Sequence, residues 1–476
     1  MNFLTLSFFV FFLLYLMASS RINVKRRKYL LAVFNCIFYG WMMPKMLIYP
    51  LTASVLTYII SLKMDKSQGK KRKIWLTSGL LGNFGFLFLC KYLVFFAGIF
   101  GAENPESFSI SQPLGVSFFT FVVTAYLIDI YKGNIKPAED FVSFFAFSTF
   151  FPSVISGPIE RADNLLTQIE KGEKADLFAV KEGFLRFVWG AFKKAVVADN
   201  LGIMVDSAYK AFDTAGGAVL LFAALAYSFQ IYYDFSGYSD MAIGAAEMMG
   251  IRLRENFLCP YYSSSVKEFW KKWHISLTSW FRDYIYFPLG GSRKGKIRTY
   301  LNILIVFSVS GLWHGASWNF VIWGLLNGLY QVMGRIFKPI TGRIKSLCFK
   351  KDSLVPKIIG GLFTFGLITV SWVFFRAETF DKALLILKKA AFVPIDRGVF
   401  DIALFGVNAR GFLTAVFFTV CAFGAEYFIK DRKWAESLSK TRVRYYVLTG
   451  AVIMAVLIFG VWGPAFDAQD FVYFKF

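Results

Sequence analysis

The chain has 476 residues, of which 56% are hydrophobic and 19% aromatic, whereas only 18% are charged. Soluble proteins are about 45–50% apolar and about 25% charged, so this chain has more apolar surface than one soluble core can bury. The composition excludes disordered, collagen-like and low-complexity proteins. It indicates an integral membrane protein with many spans in a lipid bilayer.

The charge is strongly basic, with 53 Lys and Arg residues against 31 Asp and Glu residues and a net charge of +22. The cations form short clusters between apolar runs, as the positive-inside rule describes. We therefore exclude nucleic-acid binding and predict that the clusters at 21–28, 63–73, 292–298, 338–357 and 430–444 are cytoplasmic. The resulting topology predicts a multi-pass protein of the cell (plasma or inner) membrane with both termini extracytoplasmic.

Thirteen apolar runs are candidate membrane spans. They cover residues 3–19, 29–43, 46–62, 74–99, 114–131, 141–156, 184–198, 216–233, 299–313, 317–337, 357–375, 412–429 and 443–463. The first run is followed rather than preceded by cations, so we expect a retained span and not a cleaved signal peptide. Several runs are short or contain Pro or Gly. We expect about eleven full spans, plus re-entrant and interfacial pieces, in one membrane domain over residues 1–476.

The five cysteines lie far apart and none shows CxxC spacing. This distribution favours neither a zinc site nor a disulfide framework, so we expect each to be a free, buried thiol.

One of the two histidines, His314, lies where the apolar runs 299–313 and 317–337 meet. Ionisable residues at membrane depth are costly and usually face the protein interior or a wet cavity. Gly311 and Gly315 flank the histidine and favour a close helix approach or a break in the helix. His314 is either a general base or proton relay, or a structural residue that hydrogen-bonds a backbone carbonyl.

The other histidine, His274, lies in a stretch where large apolar side chains recur every three or four residues. These side chains are Trp270, Trp273, Leu277, Trp280 and Tyr284. The spacing predicts one continuous helix with an aromatic face, and the lysines off that face are typical of a helix at the membrane interface. His274 is therefore either a functional residue or an incidental part of an interfacial helix.

Polar residues such as Asp234 also lie in apolar context, and we expect ion pairs or hydrogen bonds to satisfy them. Two histidines far apart in sequence, with no nearby acidic pair, are a poor zinc site, so we expect no metal. The chain contains no Walker loop, GxGxxG turn or GxSxG elbow, so neither an ATP-driven pump nor a serine esterase is supported.

Several motifs together resemble those of the membrane-bound O-acyltransferases, in particular the branch that acetylates exopolysaccharides such as alginate. The matching stretches are 113–121, 129–133, 156–161, 233–241, 269–295, 311–315, 371–376 and the aromatic end 471–476. The resemblance covers nearly the whole chain. Its most specific parts are 269–295 and 311–315.

The resemblance implies an all-α polytopic membrane fold, a ring of about eleven transmembrane helices with re-entrant and interfacial helices around a central tunnel. It implies that His314 is the catalytic histidine. His274 corresponds to a second signature position that holds Asn or His across the family. Residues expected to line the tunnel or support the site are Trp273, Trp313, Ser310, Asn319, Arg282, Asp283 and Asp234.

The resemblance also implies the reaction. An acyl group, expected to be acetyl, would pass from acetyl-CoA or an acyl-carrier-protein thioester in the cytoplasm to a hydroxyl of a cell-surface polysaccharide. An extracytoplasmic partner with a serine esterase-like domain would receive or relay the group, because this sequence shows no such domain. The cytoplasmic cations suit an anionic donor. No bound cofactor is expected.

Three alternatives stay open at this stage. A D-alanyl transferase of the teichoic-acid type shares the Trp-His and Arg-Asp motifs and would use a carrier-protein donor. The run 288–295 favours polysaccharide acetylation over that variant. A small-anion transporter would fit basic intramembrane residues and broken helices, and a scaffold of a secretion complex would need no catalytic histidine.

Overall fold

The computed structural model describes residues 2–172, 174–349, 353–392, 401–429 and 442–461. These residues are helical or irregular, and no strand occurs among them. The aromatic end 471–476, residues 430–441 of the last basic cluster and the C-terminus lie outside the described residues. The all-helical prediction is confirmed for the part of the chain that the structure describes.

The helices in chain order are α1 Leu6–Arg21, α2 Arg27–Met42, α3 Ile48–Asp65, α4 Gly69–Lys91, α5 Leu93–Ile99, α6 Val116–Lys132, α7 Phe141–Ser148, α8 Thr167–Lys171, α9 Leu177–Phe192, α10 Asp199–Lys210, α11 Gly217–Met248, α12 Val266–Lys272, α13 Ile275–Phe281, α14 Lys296–His314, α15 Trp318–Ile336, α16 Lys338–Cys348, α17 Val355–Arg376, α18 Phe380–Phe392, α19 Ala409–Ile429 and α20 Arg442–Phe459.

Five helices among the described residues are long and apolar enough to cross a membrane. They are Pro44–Asp65, Gly69–Lys91, Gly217–Met248, Val355–Arg376 and Ala409–Phe428. Shorter apolar helices cover Leu6–Arg21 and Val443–Phe459. The chain is therefore a multi-pass membrane protein, as predicted, whereas the ring of about eleven spans around a tunnel stays a prediction.

The chain packs as two compact units. The first contains Met1–Val188 and Ser239–Glu255, and the second contains Trp189–Tyr238 and Asn256–Phe476. Two of the three unit boundaries fall inside α9 and α11, so these two helices contribute to both units, and the third lies between α11 and α12. The single domain predicted for residues 1–476 stays a prediction.

An aromatic core and one buried amide organise the first unit. The rings of Phe11 and Phe38 pack against Phe151 at centroid distances of 5.2 and 5.6 Å. Asn35 of α2 donates to the Ala146 carbonyl at 3.1 Å and accepts the Phe151 N–H at 3.0 Å. These bonds satisfy one backbone group in the last turn of α7 and one just beyond it, where the apolar run 141–156, helical only over Phe141–Ser148, continues as turns.

Two glycines let the hairpin of α14 and α15 pack at backbone contact in the second unit. A Cβ on Gly311 would lie 2.1 Å from the Phe320 carbonyl oxygen, and one on Gly324 would lie 2.2 Å from that of Phe307. No larger side chain fits at either position without moving a helix. In membranes, burial of apolar surface does not drive helix pairing. Close packing drives it instead, and small residues permit that packing.

All five cysteines are free. Cys348 and Cys421 are exposed and the other three are partly exposed, so the prediction of buried thiols is wrong. An apolar helix face that is not packed against protein accepts a cysteine readily, because the thiol behaves as a small apolar group.

Candidate active site

His314 is the last residue of α14, where the predicted break occurs. The next residue, Gly315, is extended, with φ −165° and ψ 149°. A Cβ on Gly315 would lie 2.1 Å from the Phe320 ring, so the turn into α15 depends on a glycine here. The crossing of α14 and α15 at Gly311 then fixes the last turn of α14. His314 is thus buried, with 4% of its surface exposed.

Aromatic rings surround the His314 imidazole. The centroids of Trp313, Trp323 and Phe375 lie 4.9, 5.0 and 5.4 Å from its own, all with edge-to-face geometry. The Trp323 indole N–H is buried and has no acceptor among the described residues. A histidine in such a shell is shielded from bulk water, and electrostatic interactions are stronger there than in solvent.

His274 interrupts the helix predicted over 270–284. The structure has two short helices instead, α12 ending at Lys272 and α13 starting at Ile275. His274 adopts the left-handed region with φ 45° and ψ 56°, which is uncommon for a residue with a side chain. The continuous interfacial helix was therefore a wrong prediction, and His274 is buried with 1% of its surface exposed.

Asn256 holds the His274 turn in place from a distant part of the sequence. Its backbone carbonyl accepts the Ile275 N–H at 2.9 Å. Its side-chain Oδ1 accepts the Ser276 hydroxyl at 2.9 Å and the Ser276 backbone N–H at 3.4 Å. Three donors from the turn thus converge on one residue, and these bonds offset the cost of the left-handed backbone.

The same amide oxygen sets the tautomer of His274. His274 Nδ1 lies 3.1 Å from Asn256 Oδ1. Because the Ser276 backbone N–H can only donate, the shared atom is an acceptor, and Nδ1 must carry the proton. In the neutral ring Nε2 then has a lone pair. Burial lowers the pKa of His274 to about 3, so the imidazole is neutral at physiological pH.

Both histidines pack against the indole of Trp313. The Trp313 centroid lies 6.2 Å from that of His274 and 4.9 Å from that of His314. All three residues belong to the second unit. The structure therefore brings together the two histidines that the sequence placed in separate motifs.

A buried ion pair supports the segment that leads to His274. Trp273 packs 5.0 Å from Trp372 and 5.9 Å from Tyr232 between ring centroids. The Tyr232 hydroxyl donates to the Glu426 carboxylate at 2.9 Å, and Lys193 Nζ lies 2.9 Å from the same carboxylate. Both charged groups are almost fully buried, so the ion pair is desolvated and each partner depends on the other.

Ser310 and Asn319 lie close to the turn between α14 and α15, which begins after His314. Ser310 is buried one turn before His314 in α14. Asn319, in the first turn of α15, donates through Nδ2 to the Ala377 carbonyl at 2.7 Å. This bond ties the start of α15 to the residue that follows α17, the helix that contributes Phe375 to the shell around His314.

Three other predicted residues do not join this cluster through any contact described above. Arg282 and Asp283 pair with each other at 2.8 Å, and the Arg282 side chain is 57% exposed. Asp234 pairs with Lys194 at 2.7 Å in a buried group that includes Asp199, also 2.7 Å from Lys194. Burial raises the pKa of Asp199 to about 6, despite the opposing effect of Lys194.

The sequence did not single out several residues that shape the site, namely Asn256, Trp323, Trp372, Phe375, Lys193 and Glu426. Trp372 and Phe375 lie in the 371–376 motif, and the resemblance of that motif to the family could have pointed to them. Nothing near Asn256 or Glu426 in the sequence points to the partners they meet.

The structure thus places a buried histidine pair beside indole N–H groups in a multi-pass helical protein. Residues 33–377 match the membrane-bound O-acyltransferase family, and the chain belongs to that family. It is a membrane-bound O-acyltransferase, as predicted.

Curated relatives cover most of the chain. The probable alginate O-acetylase AlgI of Azotobacter vinelandii is 38% identical over 374 residues, which are 75% of this chain and 71% of the relative. The peptidoglycan O-acetyltransferase of Helicobacter pylori is 33% identical over 416 residues, 81% of this chain and 77% of the relative. The teichoic acid D-alanyltransferase of Bacillus subtilis is 27% identical over 280 residues, 56% and 69% of the two chains.

Proposed function

We propose that this protein transfers an acetyl group from a cytoplasmic thioester to a hydroxyl of a cell-surface polysaccharide, directly or through an extracytoplasmic esterase-like partner. The observation that carries the proposal is the buried pair of His274 and His314, both packed against the Trp313 indole. Relatives named for alginate and peptidoglycan O-acetylation support the acetyl group and the polymer acceptor.

His314 is the general base in this proposal. It takes the proton of the attacking hydroxyl while the hydroxyl oxygen bonds to the thioester carbonyl carbon. The carbon–sulfur bond breaks, and His314 returns the proton to the departing thiolate. The products are an ester and a free thiol, so the reaction releases no net proton and needs no metal or redox partner.

His274 has a different task because its tautomer is fixed. Its Nδ1–H is directed to Asn256, so the neutral ring has no N–H at Nε2 for a carbonyl oxygen. A group with a pKa of about 3 is also a weak base at neutral pH. His274 Nε2 is suited to accept a hydrogen bond from the acceptor hydroxyl, which orients that hydroxyl toward the thioester.

The group that stabilises the oxyanion in this proposal is the Trp323 indole. The Trp323 N–H is buried beside the His314 ring and has no acceptor among the described residues. A fixed donor in a water-poor site stabilises the charge that develops on the carbonyl oxygen, and loss of one such donor costs about 3–4 kcal/mol in known enzymes.

The basic clusters support a cytoplasmic donor. The clusters at 292–298 and 338–357 are proposed to face the cytoplasm, where a soluble thioester such as acetyl-CoA or an acyl carrier protein is available. The turn at His314 joins the C-terminal end of α14 to the N-terminal end of α15, and these are the helix ends away from the two clusters. An acceptor approaching from the extracytoplasmic side would reach that turn.

Acetyl incorporation into cell-surface polymer tests the proposal. We expect His314→Ala to reduce incorporation by about 10²–10⁴-fold at matched membrane expression, the range for loss of a general base. Lys210→Gln, an exposed change in α10, is the matched control and should retain wild-type incorporation. Unchanged acetylation in His314→Ala, in a strain without another acetylase, would refute the catalytic assignment.

The same variants distinguish the alternatives. A D-alanyl transferase would label the polymer with alanine from a carrier protein rather than with acetate. A small-anion transporter would continue to move its solute in His314→Ala without any acyl transfer.

A further inference from the structure

Three buried indoles pack together beside His314, and their N–H groups differ in how they are used. Trp323 stacks on Trp372 with 5.6 Å between ring centroids and 21° between planes, and it meets Trp270 edge to face at 5.7 Å. The N–H groups of Trp270 and Trp372 each have a side-chain acceptor. The N–H of Trp323 has no acceptor among the described residues. The indole that contacts both of its neighbours is therefore the one whose donor is vacant.

The acceptor for Trp372 is a tyrosine hydroxyl that is itself bound to the backbone. Trp372 Nε1–H donates to the Tyr261 hydroxyl at 3.2 Å, and this hydroxyl donates to the Ser228 carbonyl of α11 at 2.5 Å. Because the only proton of the hydroxyl is used by Ser228, its oxygen is left to accept the indole N–H. Tyr261 thus ties the Trp372 ring to the backbone of α11.

The acceptor for Trp270 is Asn327, which is fully buried on α15. Asn327 Oδ1 accepts the Trp270 N–H at 3.3 Å, and Asn327 Nδ2 donates to the Trp323 backbone carbonyl at 2.8 Å. A single amide therefore bonds to the Trp270 ring and to the turn of α15 that carries Trp323.

These bonds bear on catalysis because the Trp323 ring is oriented by its neighbours. Edge-to-face and stacked contacts define the plane of a ring only when the neighbouring rings are themselves fixed. A catalytic donor must be held within about 0.5 Å of its productive position, by residues whose own conformations are locked. Tyr261 and Asn327 lock the two indoles that Trp323 packs against.

We propose that Tyr261 and Asn327 are positioning residues for the Trp323 N–H, acting through Trp372 and Trp270. Neither residue contacts the acyl group in this scheme. The catalytic consequence rests on the proposed role of Trp323 as the oxyanion donor, whereas the orientation of the Trp323 ring does not depend on that role.

A double-mutant cycle in acetyl-transfer kinetics tests the proposal. Tyr261→Phe removes one hydroxyl and leaves the Trp372 N–H without its acceptor. We expect kcat to fall about ten- to hundredfold with KM for acetyl-CoA within about twofold of wild type, because a small misplacement slows the chemical step. Trp323→Phe removes the donor and should lower kcat about 10²–10³-fold. In that background Tyr261→Phe should change kcat by less than about twofold, since no donor is left to position.

Matched substitutions control for the loss of a buried polar group. Tyr227→Phe should keep wild-type kcat, because Tyr227 is fully buried on α11 and its hydroxyl has no partner among the described residues. Asn327→Leu repeats the test from the Trp270 side. Its control is Asn83→Leu, since Asn83 is also buried and donates to the carbonyl four residues earlier. If Tyr261→Phe lowers kcat by the same factor with and without Trp323, in variants that elute as monodisperse peaks, the positioning role is refuted.

Fluorine NMR of the full-length protein labelled with fluorotryptophan separates this inference from the proposed function. The Trp323 resonance is the one that disappears in Trp323→Phe. It should shift or broaden in Tyr261→Phe and in Asn327→Leu and keep its wild-type position in Tyr227→Phe, because a ring that is no longer held exchanges between orientations. If Trp323→Phe keeps wild-type kcat, the proposed oxyanion role fails, while the resonance still decides whether the ring is held. A Trp323 resonance that is unchanged in both Tyr261→Phe and Asn327→Leu overturns the inference.

Discussion

The two histidines are held in place by different means. His314 is positioned by shape, because the backbones of α14 and α15 touch at Gly311 and Gly324 and rings fill the space around the imidazole. His274 is positioned by hydrogen bonds, because Asn256 collects three donors from its turn and also fixes its tautomer.

The difference separates two catalytic requirements. In the proposed mechanism His314, as the general base, must change its protonation state during the reaction, and aromatic rings surround its imidazole. An orienting group must keep one protonation state, and a hydrogen bond to Nδ1 does this for His274. The close packing that positions His314 should not tolerate added side-chain atoms at the glycines. The hydrogen bonds that position His274 should be preserved by a residue that supplies the same acceptor as Asn256.

The largest expected effect comes from the buried ion pair behind Trp273. Lys193→Met leaves the Glu426 carboxylate buried without its cation, and removal of one partner of a buried pair costs about 3–5 kcal/mol. We expect a lower thermal unfolding temperature in detergent and a loss of acetyl transfer. Lys382→Met, in the exposed pair with Glu378, should change stability by less than about 1 kcal/mol.

The double substitution Lys193→Met with Glu426→Gln sharpens this prediction. It removes both charges, so the protein should regain much of the stability that Lys193→Met loses. If the double variant is as unstable as the sum of both single variants, the two residues are not coupled as the structure indicates.

The next effect tests the support of His314 by shape. Gly311→Ala places a methyl group 2.1 Å from the Phe320 carbonyl, so α14 must move and carry His314 with it. Overpacking of this kind costs about 1–3 kcal/mol, and we expect kcat for acetyl transfer to fall by at least about tenfold. Gly334→Ala is the matched control in α15, because a Cβ there meets nothing within 4 Å. Wild-type kcat in Gly311→Ala would show that the crossing does not position the base.

Asn256 tests the support of His274 by hydrogen bonds. Asn256→Ala leaves the Ser276 hydroxyl and N–H and the His274 Nδ1–H without this acceptor, which costs about 1–3 kcal/mol. We expect kcat/KM to fall by about tenfold or more. Asn256→Asp keeps an acceptor and should retain more activity than Asn256→Ala. The opposite order of the two variants would contradict the bonding scheme, since alanine preserves none of these bonds.

The smallest effect is a pH dependence of stability. The pKa of His274 is about 3 in the folded protein against an ordinary value of 6.5, so only the unfolded chain gains this proton between these pH values. Stability is therefore unaffected by His274 above about pH 6.5 and falls by up to about 1.4 kcal/mol per pH unit below it. Unfolding temperatures at pH 7 and pH 5 should differ less in His274→Asn than in wild type. An equal difference in both proteins would show that His274 is already protonated when folded.

The sequence predicted some features well because the causes are local. Apolar runs predicted a multi-pass helical protein, and Gly311 and Gly315 predicted a break at His314, where a Cβ on Gly315 would clash with the Phe320 ring. The resemblance predicted the acyltransferase class.

Other features depend on contacts that periodicity does not encode. The aromatic spacing over 270–284 fits one helix, yet the helix breaks at His274, where Asn256 binds the turn from 18 residues away. The Lys193–Glu426 pair joins residues that are remote in sequence, so neither residue alone suggested its partner. Arg282 was grouped with the site by motif, whereas its side chain is exposed and pairs with the adjacent Asp283.

The glycine crossing between α14 and α15 also has a consequence for biogenesis. The two helices are consecutive in the chain, so the contacts that place His314 and Trp323 side by side have low contact order. Such a hairpin closes a short loop and can form as soon as both helices have left the ribosome, before the C-terminal helices are made. The corner that holds both His314 and Trp323 can therefore form early, and α17, which is made later, adds Phe375 to the rings around His314.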